Sequence, residues 1–251
     1  MNQIRAVAFD LFNTLITVDS ETLKVANATL IEALRESGFQ LDEESFKTGY
    51  REAAVRLLEE CRATGRETHN RFWISAGLAS LGHEVDPYDP RITGAVEAYF
   101  SGFYCRIRLI EGTRRMLAML KEDYRLGLLS NFTHGPAARR IIAETGLAPF
   151  FQVVLISGEL GYRKPSPIVF EKLVEQLGVE REHILYVGDD PEPDIAGAQA
   201  AGLHPVWTTY VMDHNLPYGP RIVDRDGSAP GGDVPRISSW EDLLRLLDVQ
   251  A

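Results

Sequence analysis

Cysteine is scarce: Cys61 and Cys105 are the only two, and neither lies in a metal-ligand spacing. A disulfide framework and a thiolate zinc site are thereby excluded, and a reducing cytoplasm is the expected setting. Basic runs are missing as well. Lys plus Arg number 26 against 36 Asp plus Glu, a net charge of -10, which argues against nucleic acid as a general partner. No apolar run reaches membrane length, and no basic region leads into an apolar core and cleavage site. The chain is therefore expected to be untargeted and to have no membrane partner. Internal repeats and low-complexity tracts are also absent.

What is present is an ordinary globular composition, 45% hydrophobic and 25% charged over 251 residues, enough for one large domain or two small ones. The informative stretch is Ile4 to Ile16. Ala6 to Phe9 is a continuous apolar run, as expected of a parallel strand covered on both faces. It ends in Asp10, and ligands of open α/β sheets bind beyond the carboxyl ends of strands. Asn13 tolerates a positive φ in the turn that follows, and Thr14 adds a hydroxyl.

From about Ser20 to Tyr104 the periodicity is helical. Leu23, Leu30, Ile31, Ala33 and Leu34 form one stripe, stopped by Gly38. A second segment opens at Asp42 and closes near Gly65, a third runs from His69 to Leu81, and a fourth from Pro90 to Tyr104. From Leu109 onward strands and helices alternate. The predicted strands are Leu126 to Leu129, Val153 to Ile156, Ile184 to Val187, one around Val206 and one before a last helix, Trp240 to Leu247. Tyr210 to Pro235, dense in Gly, Pro and Asp, reads as an irregular loop. The expected fold is a doubly wound, Rossmann-like α/β parallel sheet of residues 1–16 and 107–251, with a helical-bundle cap of residues 17–106 inserted.

Four predicted strand ends carry polar groups: Asp10 with Thr14, Ser130 with Asn131, Lys164 beyond the strand before Ser157, and Asp189 with Asp194. Each alone suits a turn or a helix cap. In a parallel sheet all four lie on one edge. The motifs FDLFNTL (Phe9 to Leu15), LLSN (Leu128 to Asn131), GYRKPSP (Gly161 to Pro167) and VGDDPEPDIAGAQAAG (Val187 to Gly202) resemble, in order, those of the haloacid dehalogenase-like hydrolase superfamily. The helical insert is similar to the mobile cap of one large branch.

That resemblance implies a hydrolase with Asp10 as nucleophile. Ser130, Asn131 and backbone N–H groups around residues 11–14 would hold phosphoryl oxygens, Lys164 would offset charge shared with Asp10, and Thr14 would support the loop. Mg2+ would be the cofactor, with Asp10, the main-chain carbonyl of Phe12 and Asp189 as ligands and Asp194 direct or through water. The substrate would be a small anionic molecule.

One departure bears on mechanism. Phosphatases of the superfamily usually carry a second Asp two residues after the nucleophile as general acid, and here Phe12 stands there. Three readings follow. The first, ranked ahead, is a phosphohydrolase whose leaving group needs no proton, such as an acyl phosphate, or which recruits an acid from the cap or His134. The second is a 2-haloacid dehalogenase, since halide leaves unprotonated; the acidic pair Asp189 and Asp194 speaks against it. The third is a catalytically weak relative that binds a ligand or partner; a receiver domain fits poorly, for want of paired acids near the first strand. His134 is expected to open a helix in solvent, and Arg71, Phe72 and Trp73 to be packing residues.

Overall fold

The computed structural model of the chain describes residues 3–218 and 229–249. Strand β1 (Ala6–Phe9) is buried on both faces, as its unbroken apolar run requires. A tight turn leads to β2 (Ile16–Val18), and Asn13 in that turn has φ 59°. Four helices follow: α1 (Thr22–Glu36), α2 (Glu43–Thr64), α3 (Asn70–Ala79) and α4 (Pro90–Tyr104). Their ends obey local rules. The Asp42 carboxylate accepts from the Ser45 N–H at the start of α2, and Asp89 precedes Pro90 at the start of α4.

Strand β3 (Ile107–Leu109) returns the chain and pairs antiparallel with β2, Thr17 opposite Arg108. Next come α5 (Thr113–Asp123), β4 (Arg125–Ser130), α6 (Gly135–Glu144), β5 (Val153–Ile156), the single turn α7 (Ser157–Leu160) and α8 (Pro167–Leu177). The chain continues through β6 (Ile184–Gly188), a π-helical turn at Pro191–Ala196, α9 (Gly197–Ala200), β7 (His204–Thr208), α10 (Tyr210–Asp213), β8 (Arg236–Ile237) and α11 (Trp240–Leu246). A capping box of Ser239 and Asp242 opens that last helix.

Six strands form one sheet in the order β5-β4-β1-β6-β7-β8, and every pairing in it is parallel. The fold is the expected α/β, Rossmann-like one. β1 lies between β4 and β6, so the carboxyl ends of those three strands converge, and the next strand out is β5. Among the described residues no helix is long and apolar enough to cross a membrane.

Three local expectations need amendment. The β2 and β3 pair joining the four helices to the sheet is unannounced in the sequence, because three-residue strands show too little alternation to register. The predicted small-residue helix after β6 begins earlier, as the π-helical turn, because Pro191 sets the first turn. Within the presumed loop from Tyr210 to Pro235, Tyr210–Asp213 is helical, and residues 219–228 lie outside those described.

Candidate active site

Asp10 continues β1 by one residue, its N–H donating to the Val187 carbonyl at 2.9 Å. Lys164 reaches it from the loop between α7 and α8. The ammonium donates to Asp10 Oδ1 at 2.6 Å, to Asp194 Oδ1 at 2.6 Å and to the Tyr186 hydroxyl at 2.9 Å. Two buried carboxylates thus share one cation. Burial raises the Asp10 pKa to about 6; Lys164 pulls it down, and the Asp194 charge pushes it back up. Burial works against the Lys164 charge, yet Asp10 and Asp194 hold its pKa well above the ordinary lysine value.

The lysine is positioned by two of the other predicted residues. Asn131, just past β4, donates its amide to the Lys164 carbonyl at 3.0 Å and accepts from the Lys164 N–H at 2.8 Å. Its amide is thereby committed to the Lys164 main chain. Asp194 accepts from the Asp190 N–H at 3.0 Å through its second oxygen. Gly188 makes this possible, since a Cβ there would lie 2.4 Å from the Asp194 carboxyl carbon. Asp10, Asp189 and Asp194 each offer an oxygen, all within 4.8 Å of one another.

These groups line a cavity of about 230 Å³, together with Ser130, Asn131 and Phe12. Thr14 does not line it. Thr14 is fully buried, and its Oγ1 has no hydrogen-bond partner among the described residues. The Phe12 ring stacks on Phe132, centroids 5.3 Å apart, and Phe132 packs on Phe100. His134 stacks behind Phe100 at 4.8 Å. It does open α6, its side chain accepting from the Ala137 N–H, but it is buried rather than solvated and pairs with Glu97 at 3.2 Å. Burial lowers its pKa, and it is not among the cavity residues.

Several wall residues escaped the sequence reading. Trp73, Tyr99, Phe100 and Phe103 of the inserted helices line the cavity, as do Asn70, Arg62 and Arg163. Trp73 packs as expected and forms wall as well, a double use that periodicity does not reveal. Tyr186 had a usable signal: a tyrosine inside an aliphatic buried strand must find a partner for its hydroxyl. Glu67, from the segment between α2 and α3, joins Arg163 at 2.9 Å and accepts from the Ser157 hydroxyl. That hydroxyl in turn accepts from the Phe132 N–H at 2.8 Å, so one buried carboxylate from the insert braces two loops of the site.

Over residues 4–202 the chain matches the family described as haloacid dehalogenase-like hydrolase. It belongs to that family. The glyceraldehyde 3-phosphate phosphatase of Methanopyrus kandleri is 32% identical over 247 residues, covering 97% of this chain and 98% of its own. The phosphoserine phosphatase of Thermus thermophilus is 30% identical over 227 residues, 81% of this chain and 88% of its own. Among solved structures, the 2-haloacid dehalogenase of Pseudomonas syringae aligns with a TM-score of 0.72 at 25% identity, covering 98% of each chain. As a haloacid dehalogenase-like hydrolase, the protein has phosphatases and dehalogenases alike among its relatives. Its own residues must decide between them.

Proposed function

We propose that this hydrolase is a metal-dependent phosphohydrolase of small phosphorylated metabolites, working through an aspartyl-phosphate on Asp10. The observation that carries this reading is the trio of carboxylates Asp10, Asp189 and Asp194 around one buried lysine. With Oδ1 of Asp10 engaged by Lys164, Oδ2 serves as nucleophile. It bonds to phosphorus as the bond from phosphorus to the leaving oxygen breaks, and water then cleaves the acyl phosphate, releasing inorganic phosphate and free Asp10. Lys164 and Ser130 counter the phosphoryl charge, and Asn131 keeps Lys164 in place. Residues 17–106 act as a cap over a core of residues 1–16 and 107–251, with β2 and β3 as the crossing strands. The alternative, attack on carbon with loss of halide, is favoured by Phe12 but leaves the acidic trio without a task.

The donor set suits a hard divalent cation, because magnesium takes carboxylate, carbonyl and water oxygens. Asp10, Asp189 and the Phe12 carbonyl would hold it, with Asp194 direct or through water. Bound there, the ion would neutralise phosphoryl charge. Without it, the raised Asp10 pKa has a definite sign. The folded state holds that proton more tightly than the unfolded chain, so the Asp10 contribution to stability is full below 3.8 and declines as pH rises through about 6. Magnesium competes with the proton, so its addition is expected to raise the melting temperature by several degrees near pH 7.5 and by far less near pH 5. Equal shifts in thermal melts at the two pH values would remove Asp10 from the metal site.

Phe12 sets the leaving group. General acid help is worth about 10²- to 10⁴-fold, and a phenyl ring supplies none. An acyl phosphate, whose carboxylate departs without a proton, is therefore expected to turn over faster than glycerol 3-phosphate by about that factor. Phosphate release from both, with magnesium or with EDTA, tests the function. Phe12→Asp is expected to raise turnover of glycerol 3-phosphate about 10- to 100-fold, and to do so more than for acetyl phosphate. The stack on Phe132 would be lost, at a cost of about 0.5–1.5 kcal/mol. Equal turnover of the two substrates by the wild type would mean that another acid is at work.

A further inference from the structure

We infer that Arg62, assisted by Arg163, forms a second anion subsite, so that the substrate carries a carboxylate or second phosphate at the end remote from the phosphoryl group that is removed. The inference rests on the phosphohydrolase reading and adds the substrate class to it. Leu58, Cys61 and Arg62 stand at i, i+3 and i+4 on α2 and together line the cavity. Their position relative to Lys164 is fixed by backbone. Gly65 ends α2 with φ 71°, and a Cβ there would lie 3.0 Å from Ser166 Cβ. Beyond it the Arg163 N–H donates to the Gly65 carbonyl at 3.0 Å, and the Glu67 N–H to the Gly161 carbonyl at 3.0 Å. The last turn of α2 is thus laced to the loop that presents the lysine.

The charges at this end differ in one respect. Arg163 is neutralised by Glu67 at 2.9 Å, whereas the Arg62 side chain has no ion pair or hydrogen bond among the described residues. An arginine in a last helical turn suits the helix dipole, but that interaction does not require a place on a cavity wall. The same cavity is lined by Asp10, Asp189, Asp190, Asp194 and Glu192, and two of these carboxylates, Asp10 and Asp194, already share the Lys164 ammonium. The wall thus carries an acidic cluster suited to metal and phosphoryl group and, on the last turn of α2, a guanidinium suited to a planar or tetrahedral anion. At about 230 Å³ it falls below the roughly 300–1,000 Å³ of pockets for drug-sized ligands. A chain of only a few carbons joins the two anions.

Calorimetric titration of the full-length protein in magnesium, with 3-phosphonopropionate and with propylphosphonate, tests this. The two differ only in a terminal carboxylate against a methyl group, and neither can turn over. The carboxylate compound is expected to bind about tenfold or more tightly, and in Arg62→Gln the ratio is expected to collapse to within about threefold. Arg62 is exposed, so the substitution leaves the core packing intact. Equal affinities in the wild type, or a preference that survives in Arg62→Gln, would overturn the subsite while leaving the phosphohydrolase reading standing. Failure of both phosphonates to bind would overturn that reading and the subsite with it.

Discussion

Asp10→Asn is expected to lower phosphate release by at least about 10⁴-fold, because an amide neither attacks phosphorus nor carries the negative charge that the proposed metal site needs. The substitution is close to isosteric and keeps one oxygen to accept from Lys164, so the loss should not come from unfolding. Its effect on stability is expected to be the reverse of its effect on rate. Asp10 has a pKa raised to about 6 by burial, so holding it ionised above that pH costs the metal-free fold free energy, and Asn removes the cost. Without metal near pH 7.5, the variant should therefore melt no lower than the wild type. Phosphate release measured beside thermal melts in EDTA checks both halves. Residual turnover within about tenfold of wild type would mean that water attacks directly or that another nucleophile operates. A wild type that releases neither phosphate nor halide would instead favour the catalytically weak relative.

Much of this site could be read before the structure, for a physical reason. Asp10, Ser130, Asp189 and Asp194 lie at or just past apolar runs, and a parallel sheet gathers such ends on one edge whatever the helices between them do. Lys164 follows Arg163 and precedes Pro165 in a loop whose path no periodicity describes; only its place in the motif order marked it. What stayed hidden is what depends on packing. The aromatic residues Trp73, Tyr99 and Phe100 have helical spacing, which looks the same whether a ring faces a core or a cavity. Glu67 sits in a polar connection, where a charge is normally solvated, yet its side chain is only 2% exposed. His134 follows the usual logic of a helix opening, and tertiary packing of Phe100 and His69 against it turns a solvent position into a buried one. The run of four helices was legible as a change of period, whereas the short strands β2 and β3 on either side of it were too short to see.

Lys164→Met is expected to damage both rate and stability, and the pH dependence of the second effect separates electrostatics from lost packing. The ammonium lies 2.6 Å from each of two buried carboxylates. Deleting one partner of a buried ionic cluster typically costs about 3–5 kcal/mol, because the charges left behind are desolvated and unpaired. Methionine preserves most of the volume, so a cavity contributes little. With the cation gone, Asp10 should take up its proton more readily in the folded state, and its folded pKa, already raised by burial, should rise further. A raised folded pKa means stability that is present at low pH and lost as pH rises. The deficit against wild type should accordingly be largest near pH 7.5 in EDTA and shrink toward pH 5, as protons replace the missing ammonium. Magnesium should recover part of it near pH 7.5, since a divalent ion on Asp10, Asp189 and Asp194 neutralises the same charges. Turnover should nonetheless remain at least about 10²-fold down, because the ion does not replace the ammonium that holds Oδ1 of Asp10 and that, in the proposed mechanism, stabilises the phosphoryl group in transfer. Urea melts at the two pH values, with EDTA or magnesium, would decide the matter. A deficit independent of pH would show that Lys164 supports the fold by packing alone and would take the electrostatic role from it.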